Sequence, residues 1–268
     1  MPETSSERTR PLALITGAAS GIGLATARHL AATGHRIIAA DVNAEALATL
    51  GREAPGTICR TIDVGDAEAV ERGIAEICVA HGVPTVLVNA AGILQDNVPP
   101  EVMPLEEHDR IWQINYRGSF LCCRALAPRM ARSGGGAIVN IASVTALRPL
   151  PLFAYGPGKA AIVSLTATLA GHYGRAGVRV NAVAPGYVLT PALESRIAAG
   201  LRDGDSLARP SALGRLVLPE EIAEAIGFLV GPSAVAITGI TLPVDAGWLA
   251  GSAWGSYGGI PDYPPVSE

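Results

Sequence analysis

The sequence has 268 residues, 49% of them hydrophobic and only 16% charged, which is enough apolar mass for a large core and too little charge for a disordered chain or a coiled coil. Twenty Lys and Arg stand against 24 Asp and Glu, and aromatic residues make up 4%, so neither a phosphate-backbone binder nor a base-stacking surface fits. The 31 Gly and 20 Pro are scattered between apolar runs, which excludes collagen-like and low-complexity chains.

Residues 1–10 are polar and mixed in charge, unlike a signal peptide or a transit peptide, and read as a tail. The first strand-like run is 12–16. Thr16-Gly17-Ala18-Ala19-Ser20-Gly21-Ile22-Gly23 follows it directly and opens a helical stretch, 23–32. Glycines there let the backbone turn tightly and approach a pyrophosphate, and the free N–H groups of the helix start favour that anion. A second strand run, 36–40, ends at Asp41, 18 residues past Gly23. A carboxylate at this point can accept both hydroxyls of an adenosine ribose and repels a 2′-phosphate. With Val42 next, no cation is offered to such a phosphate, so NAD is expected over NADP. A helix cap near Asn43 is the structural alternative for Asp41.

Further on, strand runs 57–62 and 85–89 alternate with helical stretches 44–50 and 67–80, and a long helical stretch, 105–132, contains Asn115, for which a local hydrogen bond suffices. The run 137–141 leads to Ser143 without a G-x-S-x-G elbow, so a hydrolase nucleophile is not expected. Twelve residues later Tyr155 and Lys159 stand four apart at the start of the helical stretch 154–173, on one helix face. A phenol with a pKa of about 10 needs nearby positive charge to act as a base near neutrality, and Lys159 together with the positive ring of an oxidised nicotinamide can supply it. Pro157 is tolerated in a first helical turn. Phe153 and Ala160 exclude a mononucleotide P-loop around Gly158-Lys159.

After strand run 178–183, residues 187–218 mix Gly, Pro and polar side chains and form a candidate substrate lid. A helical stretch, 219–230, and a strand run, 240–244, close the alternation, and the Gly-, Pro- and Tyr-rich tail 251–268 is either frayed or docked on a neighbouring subunit. Residues 225–244 carry no charge, but Gly231-Pro232-Ser233, Gly239 and Pro243 divide them, so a helix end, a turn and a core strand are expected rather than a membrane span. Cys59, Cys78, Cys122 and Cys123 show no C-x-x-C, and His29, His35, His81, His108 and His172 show no metal spacing; buried thiols in a reducing cytoplasm and no metal are expected. The alternation predicts a single α/β domain built on a doubly wound parallel sheet.

Taken together, these residues resemble the short-chain dehydrogenase/reductases of the roughly 250-residue, single-domain type. The likeness runs from Leu12 to about Trp248: the glycine loop; Asp63-Val64; Asn89-Ala90-Ala91-Gly92; Asn115, Ser143, Tyr155 and Lys159; Arg179 to Gly186 with Val188 and Thr190; and Val244-Asp245-Ala246-Gly247. It implies a Rossmann-like sheet of about seven strands in the order 3-2-1-4-5-6-7. It also implies that Gly17, Ser20, Gly21, Ile22, Gly23, Asp41, Asp63, Val64, Asn89, Ala90, Ala91, Gly92, Pro185, Gly186, Val188 and Thr190 bind the cofactor with Tyr155 and Lys159. In the implied chemistry Ser143 orients a substrate oxygen, Tyr155 moves its proton, Lys159 holds the nicotinamide ribose and lowers the Tyr155 pKa, and Asn115 positions a relay water. The small Ser or Ala residues usual between the Tyr and the Lys are here Gly-Pro-Gly, which predicts a turn that is loose or held by packing, and Ala246 stands for a Gly.

The function expected is NAD-dependent hydride transfer between a secondary alcohol, or its ketone, and nicotinamide. The alternatives are an oxoacyl-thioester (acyl-carrier) reductase using NADPH and a nucleotide-sensing protein without catalysis. Substrate walls are expected from Leu94, Gln95, Val144, Thr145, Leu150, Phe153, Tyr187, Leu189 and Leu193; Arg148 and Arg196 are read as solvated, with contact to a substrate carboxylate as the alternative. The partners expected are a small-molecule substrate and three further copies in a homotetramer, with no nucleic acid and no membrane.

Overall fold

In the computed structural model, which describes residues 10–261, the strands are β1 (Leu12–Thr16), β2 (Arg36–Asp41), β3 (Ile58–Thr61), β4 (Val86–Asn89), β5 (Gly136–Ile141), β6 (Val178–Pro185) and β7 (Thr241–Val244). They form one sheet in the order β3-β2-β1-β4-β5-β6-β7, every pair parallel, with Leu14 opposite Ile38 on one side and Leu87 on the other. The polar tail expected over residues 1–10 falls almost wholly on residues 1–9, which lie outside the described residues, as does the end of the C-terminal tail, 262–268.

The helices are α1 (Gly21–Ala32), α2 (Ala44–Glu53), α3 (Ala67–His81), α4 (Leu105–Trp112), α5 (Gly118–Arg132), α6 (Tyr155–Tyr173), α7 (Pro191–Ala198), α8 (Gly204–Ala208), α9 (Pro219–Val230) and α10 (Trp248–Gly251). Successive strand residues serve opposite faces. Leu14, Ile38, Leu87 and Ile138 join a core with Val70 and Ile74 of α3 and Leu121 and Leu126 of α5. Ile15, Ala39, Val88 and Val139 join a second core with Leu30 of α1, Leu47 and Leu50 of α2 and Ile226 of α9. Because both faces are covered, the central strands are apolar throughout rather than alternating. Side chains start the helices where the sequence supplies them: Asn43 accepts the Ala46 N–H, and Asp66 accepts those of Glu68 and Ala69.

The stretch 105–132 is not one regular α-helix. Residues Gln113–Arg117 form a π-helical turn between α4 and α5, with Asn115 inside it. Residues 187–218 also hold more order than a bare loop: Val188 pairs with Val217 at the base, and α7 and α8 rise between them. Thr190 accepts the Leu193 N–H and Pro191 takes the first helical position, where its missing N–H costs nothing. The tail packs on its own chain at its start, where a Cβ on Gly251 would meet Pro210 O and Ile260 Cδ1, while Trp254 and Tyr257 stand exposed. Residues 225–244 resolve into the end of α9, a 3₁₀ turn (Pro232–Ala234) and β7, and among the described residues no helix is long and apolar enough to cross a membrane.

Candidate active site

The carboxyl ends of β1, β2, β4 and β5 open onto one cleft. Gly17 leaves β1 with a positive φ of 66°, and a Cβ there would lie 2.7 Å from Ala91 Cα; one on Gly23 would lie 2.0 Å from Gly17 O. Only glycine lets the β1 and β4 loops and the start of α1 approach this closely. The Thr16 hydroxyl accepts the Ala91 N–H at 3.2 Å and ties the two loops together. Helix α1 begins without a side-chain cap from Ser20 and with no acid in its first turn. Its N-terminus therefore presents N–H groups and positive dipole to the cleft, a donor set suited to a pyrophosphate.

Asp41 ends β2, its Oδ2 accepting the Ala19 N–H at 3.0 Å and its Oδ1 the Asn43 N–H at 2.9 Å. The cap of α2 is Asn43, so Asp41 is not the helix cap that was the alternative for it. Asp63 fixes its own turn by accepting the Gly65 N–H. Gly17, Ser20, Gly21, Ile22, Gly23, Asp41, Asp63, Val64, Ala90, Ala91, Gly92, Tyr155, Lys159 and Thr190 all line this cleft, whose volume is about 380 Å³.

At its inner end β5 delivers Ser143, whose hydroxyl accepts the Thr145 N–H and is near enough to the Tyr155 phenol to pull its pKa down. Lys159 is buried, donates from Nζ to Ile141 O at 2.7 Å, and lies 5.4 Å from the centre of the Tyr155 ring. Among the protein's own groups, burial dominates both pKa values: it pushes the Tyr155 phenol up to about 12, against the pull of the Ser143 hydroxyl, and Lys159 down to about 8. The expected lowering of the phenol pKa calls on the charge of oxidised nicotinamide as well as that of Lys159. Asn115 accepts the Ile93 N–H at 2.8 Å and donates to Ile93 O at 2.9 Å, clamping the chain just past Gly92; a Cβ on Gly92 would lie 3.3 Å from Asn115 Oδ1 and 4.0 Å from Lys159 Nζ.

A family model described as enoyl-(acyl carrier protein) reductase matches residues 17–249. A D-threitol dehydrogenase of Mycolicibacterium smegmatis is 39% identical over 242 residues, 88% of this chain and 92% of that protein. The chain belongs to the short-chain dehydrogenase/reductase family. Its relatives of solved structure include one described as ribose-5-phosphate isomerase from Brucella melitensis 16M (45% identical, TM-score 0.92, covering 94% of this chain and 98% of that one). Another is a 3-ketoacyl-(acyl-carrier-protein) reductase from Brucella melitensis complexed with NADH (32% identical, TM-score 0.82, covering 89% and 98%).

As a short-chain dehydrogenase/reductase the chain is an oxidoreductase, and a second cavity of about 270 Å³ adjoins the cleft, sharing Tyr155, Ile22, Leu94, Ile141 and Thr190 with it. Pro185, Gly186 and Val188, expected at the nicotinamide end of the cofactor, line this second cavity, where it joins the cleft at Tyr155 and Thr190. Asn89 lines neither: its side chain turns into the core, where Nδ2 donates to Asn140 Oδ1 at 2.8 Å. Of the expected walls, Leu94, Gln95, Val144, Thr145, Leu150, Tyr187 and Leu193 are present. Phe153 points outward, 44% exposed, and Leu189 lines a separate hollow beside Arg215. Arg148 is tied to Ser252, not solvated. Arg196 lines the cavity while pairing with Asp96 at 2.8 Å, and Arg202, which the sequence reading missed, lines it too. Among the described residues no group of His, Cys, Asp and Glu could hold a metal ion.

Proposed function

We propose that the chain oxidises a secondary alcohol to its ketone, or runs the reverse, with NAD as the preferred cofactor and Tyr155 as the acid/base. The single observation carrying this reading is that Tyr155 lines both the cleft and the smaller cavity, with Ser143 on the cavity side and Lys159 one turn behind on the cleft side.

The N–H groups at the start of α1 would hold the pyrophosphate, Asp41 the adenosine ribose, and Asp63 and Val64 the adenine. Bound there, nicotinamide supplies the hydride acceptor or donor and, when oxidised, a positive charge. Ser143 orients the substrate oxygen, and Tyr155 Oη takes its proton as the carbinol C–H bond breaks. The ammonium of Lys159 stabilises the phenolate, and Asn115 acts through Ile93 and Gly92 to fix the loop behind Lys159, where the family's proton relay would start. Positioning and a poised proton acceptor supply the rate, general acid–base catalysis alone being worth roughly 10²–10⁴-fold.

Asp41 supports NAD, since its carboxylate repels a 2′-phosphate. In the hollow beside it the Arg28 guanidinium is already paired with Glu53 at 3.0 Å. A thioester reductase is the second reading, supported by the ketoacyl reductase among the solved relatives. A ribose-phosphate isomerase would leave the glycine loop and Asp41 without a task, and that reading is set aside. We also infer a homotetramer through the outer faces of α5 and α6, where Phe120 is 40% exposed, and a reducing cytoplasm from the four free thiols; sedimentation of a stable monomer would remove the first.

The test is a panel of secondary alcohols, polyols, hydroxy acids and oxoacyl thioesters assayed with both NAD⁺/NADH and NADP⁺/NADPH, alongside Tyr155→Phe. Alcohol oxidation with NAD⁺ that falls by at least ~10²-fold in the variant supports the reading. A variant that keeps full rate sinks it.

A further inference from the structure

The substrate cavity is apolar over most of its wall, through Leu94, Val144, Leu150, Leu193 and Leu207, yet no Asp or Glu lines it and two guanidiniums do. The two are not equivalent. Arg196 is paired with Asp96, whose side chain is 70% exposed. Arg202, half-buried on the link between α7 and α8, has no carboxylate partner among the described residues, and its charge is felt by the phenol of Tyr187 on the same wall. A second polar group in the cavity is also unspent: Thr145 Oγ1 is buried without a hydrogen-bond partner. An unpaired cation in an apolar, partly dry site is costly unless its occupant brings the opposite charge.

We infer that the substrate is an anion: a compact secondary alcohol, or its ketone, carrying a carboxylate or sulfonate that Arg202 binds, with Arg196 adding positive field beside it. This deepens the dehydrogenase reading and rests on it. The planar fork of a guanidinium suits the two coplanar oxygens of a carboxylate and two of the three oxygens of a sulfonate, whereas a neutral polyol would leave the charge unmet. About 270 Å³ holds roughly nine waters at ~30 Å³ each, which is room for a compact hydroxy acid within these walls.

The experiment compares a hydroxycyclohexanecarboxylate, the matching hydroxycyclohexanesulfonate and the neutral carboxamide in wild type, Arg202→Gln and Arg202→Lys, by kcat and KM with NAD⁺. Calorimetric binding of the acid and of the amide to the same proteins runs in parallel. Wild type is expected to prefer an anion over the amide by about 10- to 100-fold in kcat/KM, mostly in KM. Arg202→Gln should bring that ratio to about one, and Arg202→Lys should keep part of it. The carboxylate and sulfonate arms decide which anion is taken. Equal use of acid and amide by wild type, or equal loss of both in Arg202→Gln, overturns the inference. Turnover of none of the three, with binding of the acid that is lost in Arg202→Gln, would sink the dehydrogenase reading and leave the anion site standing; no Arg202-dependent binding removes the site itself.

Discussion

Gln95 Oε1 accepts the backbone N–H of Tyr155 at 2.9 Å, and that of Ala154 at the same distance. Helix α6 starts at Ala154 with no side chain of its own to cap it, so a residue about sixty positions earlier in the chain performs the capping. The buried Gln95 amide thereby fixes the turn that carries the phenol, which answers how Gly156-Pro157-Gly158 can hold Tyr155 in place. Gln95 is a positioning residue. Gln95→Leu should destabilise the fold by about 1 kcal/mol, as other lost caps do, and lower kcat more than it raises KM. Gln95→Glu, which keeps an acceptor oxygen, should recover part of kcat. A leucine variant with unchanged kcat and unchanged urea midpoint would refute the role.

How much of this could be read from residues alone depends on range. Parallel strands covered on both faces declare themselves as apolar runs such as Leu-Ala-Leu-Ile-Thr, and the glycine loop declares itself because no Cβ fits at Gly23. Orientation does not show in this way. Asn89 and Phe153 occupy the expected positions, but packing turns one into the core and the other toward solvent. The π-helical turn at Gln113–Arg117 changes hydrogen-bond partners without changing the apolar spacing, so the stretch read as one helix. The Gln95 cap and the Arg202 lining are long-range contacts with no local signature.

Lys159 makes stability depend on pH in a defined window. Folding lowers its pKa from 10.5 to about 8, so between those values the unfolded chain binds more protons than the native one, and stability rises with pH. That contribution is complete above 10.5 and is lost as pH falls through about 8. Tyr155 acts the other way: raised from 10.0 to about 12, it stabilises the native state below 10 and loses that contribution as pH climbs through 12. In urea titrations of the protein without added nucleotide, Lys159→Met should flatten the rise between pH 8 and 10.5. An identical slope in the variant would show that the ammonium is not the group responsible.

Asn115 satisfies both backbone groups of Ile93 from inside the π-helical turn, and its removal takes away two part-buried hydrogen bonds. Asn115→Leu should cost roughly 1–3 kcal/mol, the net worth of two such bonds. Asn115→Asp, with two acceptors and no donor, should recover only the bond from the Ile93 N–H. Thermal melts of the three proteins order them as wild type, Asp, Leu. A leucine variant as stable as wild type would mean that water replaces the clamp without loss.

Two positions depart from ideal backbone chemistry in opposite directions, and exchanging the residue types should stabilise both. Gly158 lies inside α6 with no atom of another element within 4 Å of a built Cβ, so Gly158→Ala should gain up to about 1 kcal/mol from helix propensity alone. Ala246 is the one non-glycine residue among those described with a positive φ, 52°. The left-handed conformation costs an alanine roughly 1 kcal/mol, partly offset by the entropy a glycine loses on folding, so Ala246→Gly should gain a few tenths to about 1 kcal/mol. The sites lie on different elements, and the double variant should show the sum of the single effects in urea midpoints. Destabilisation by Gly158→Ala would locate a contact at that face which a single chain does not provide, as a neighbouring subunit would.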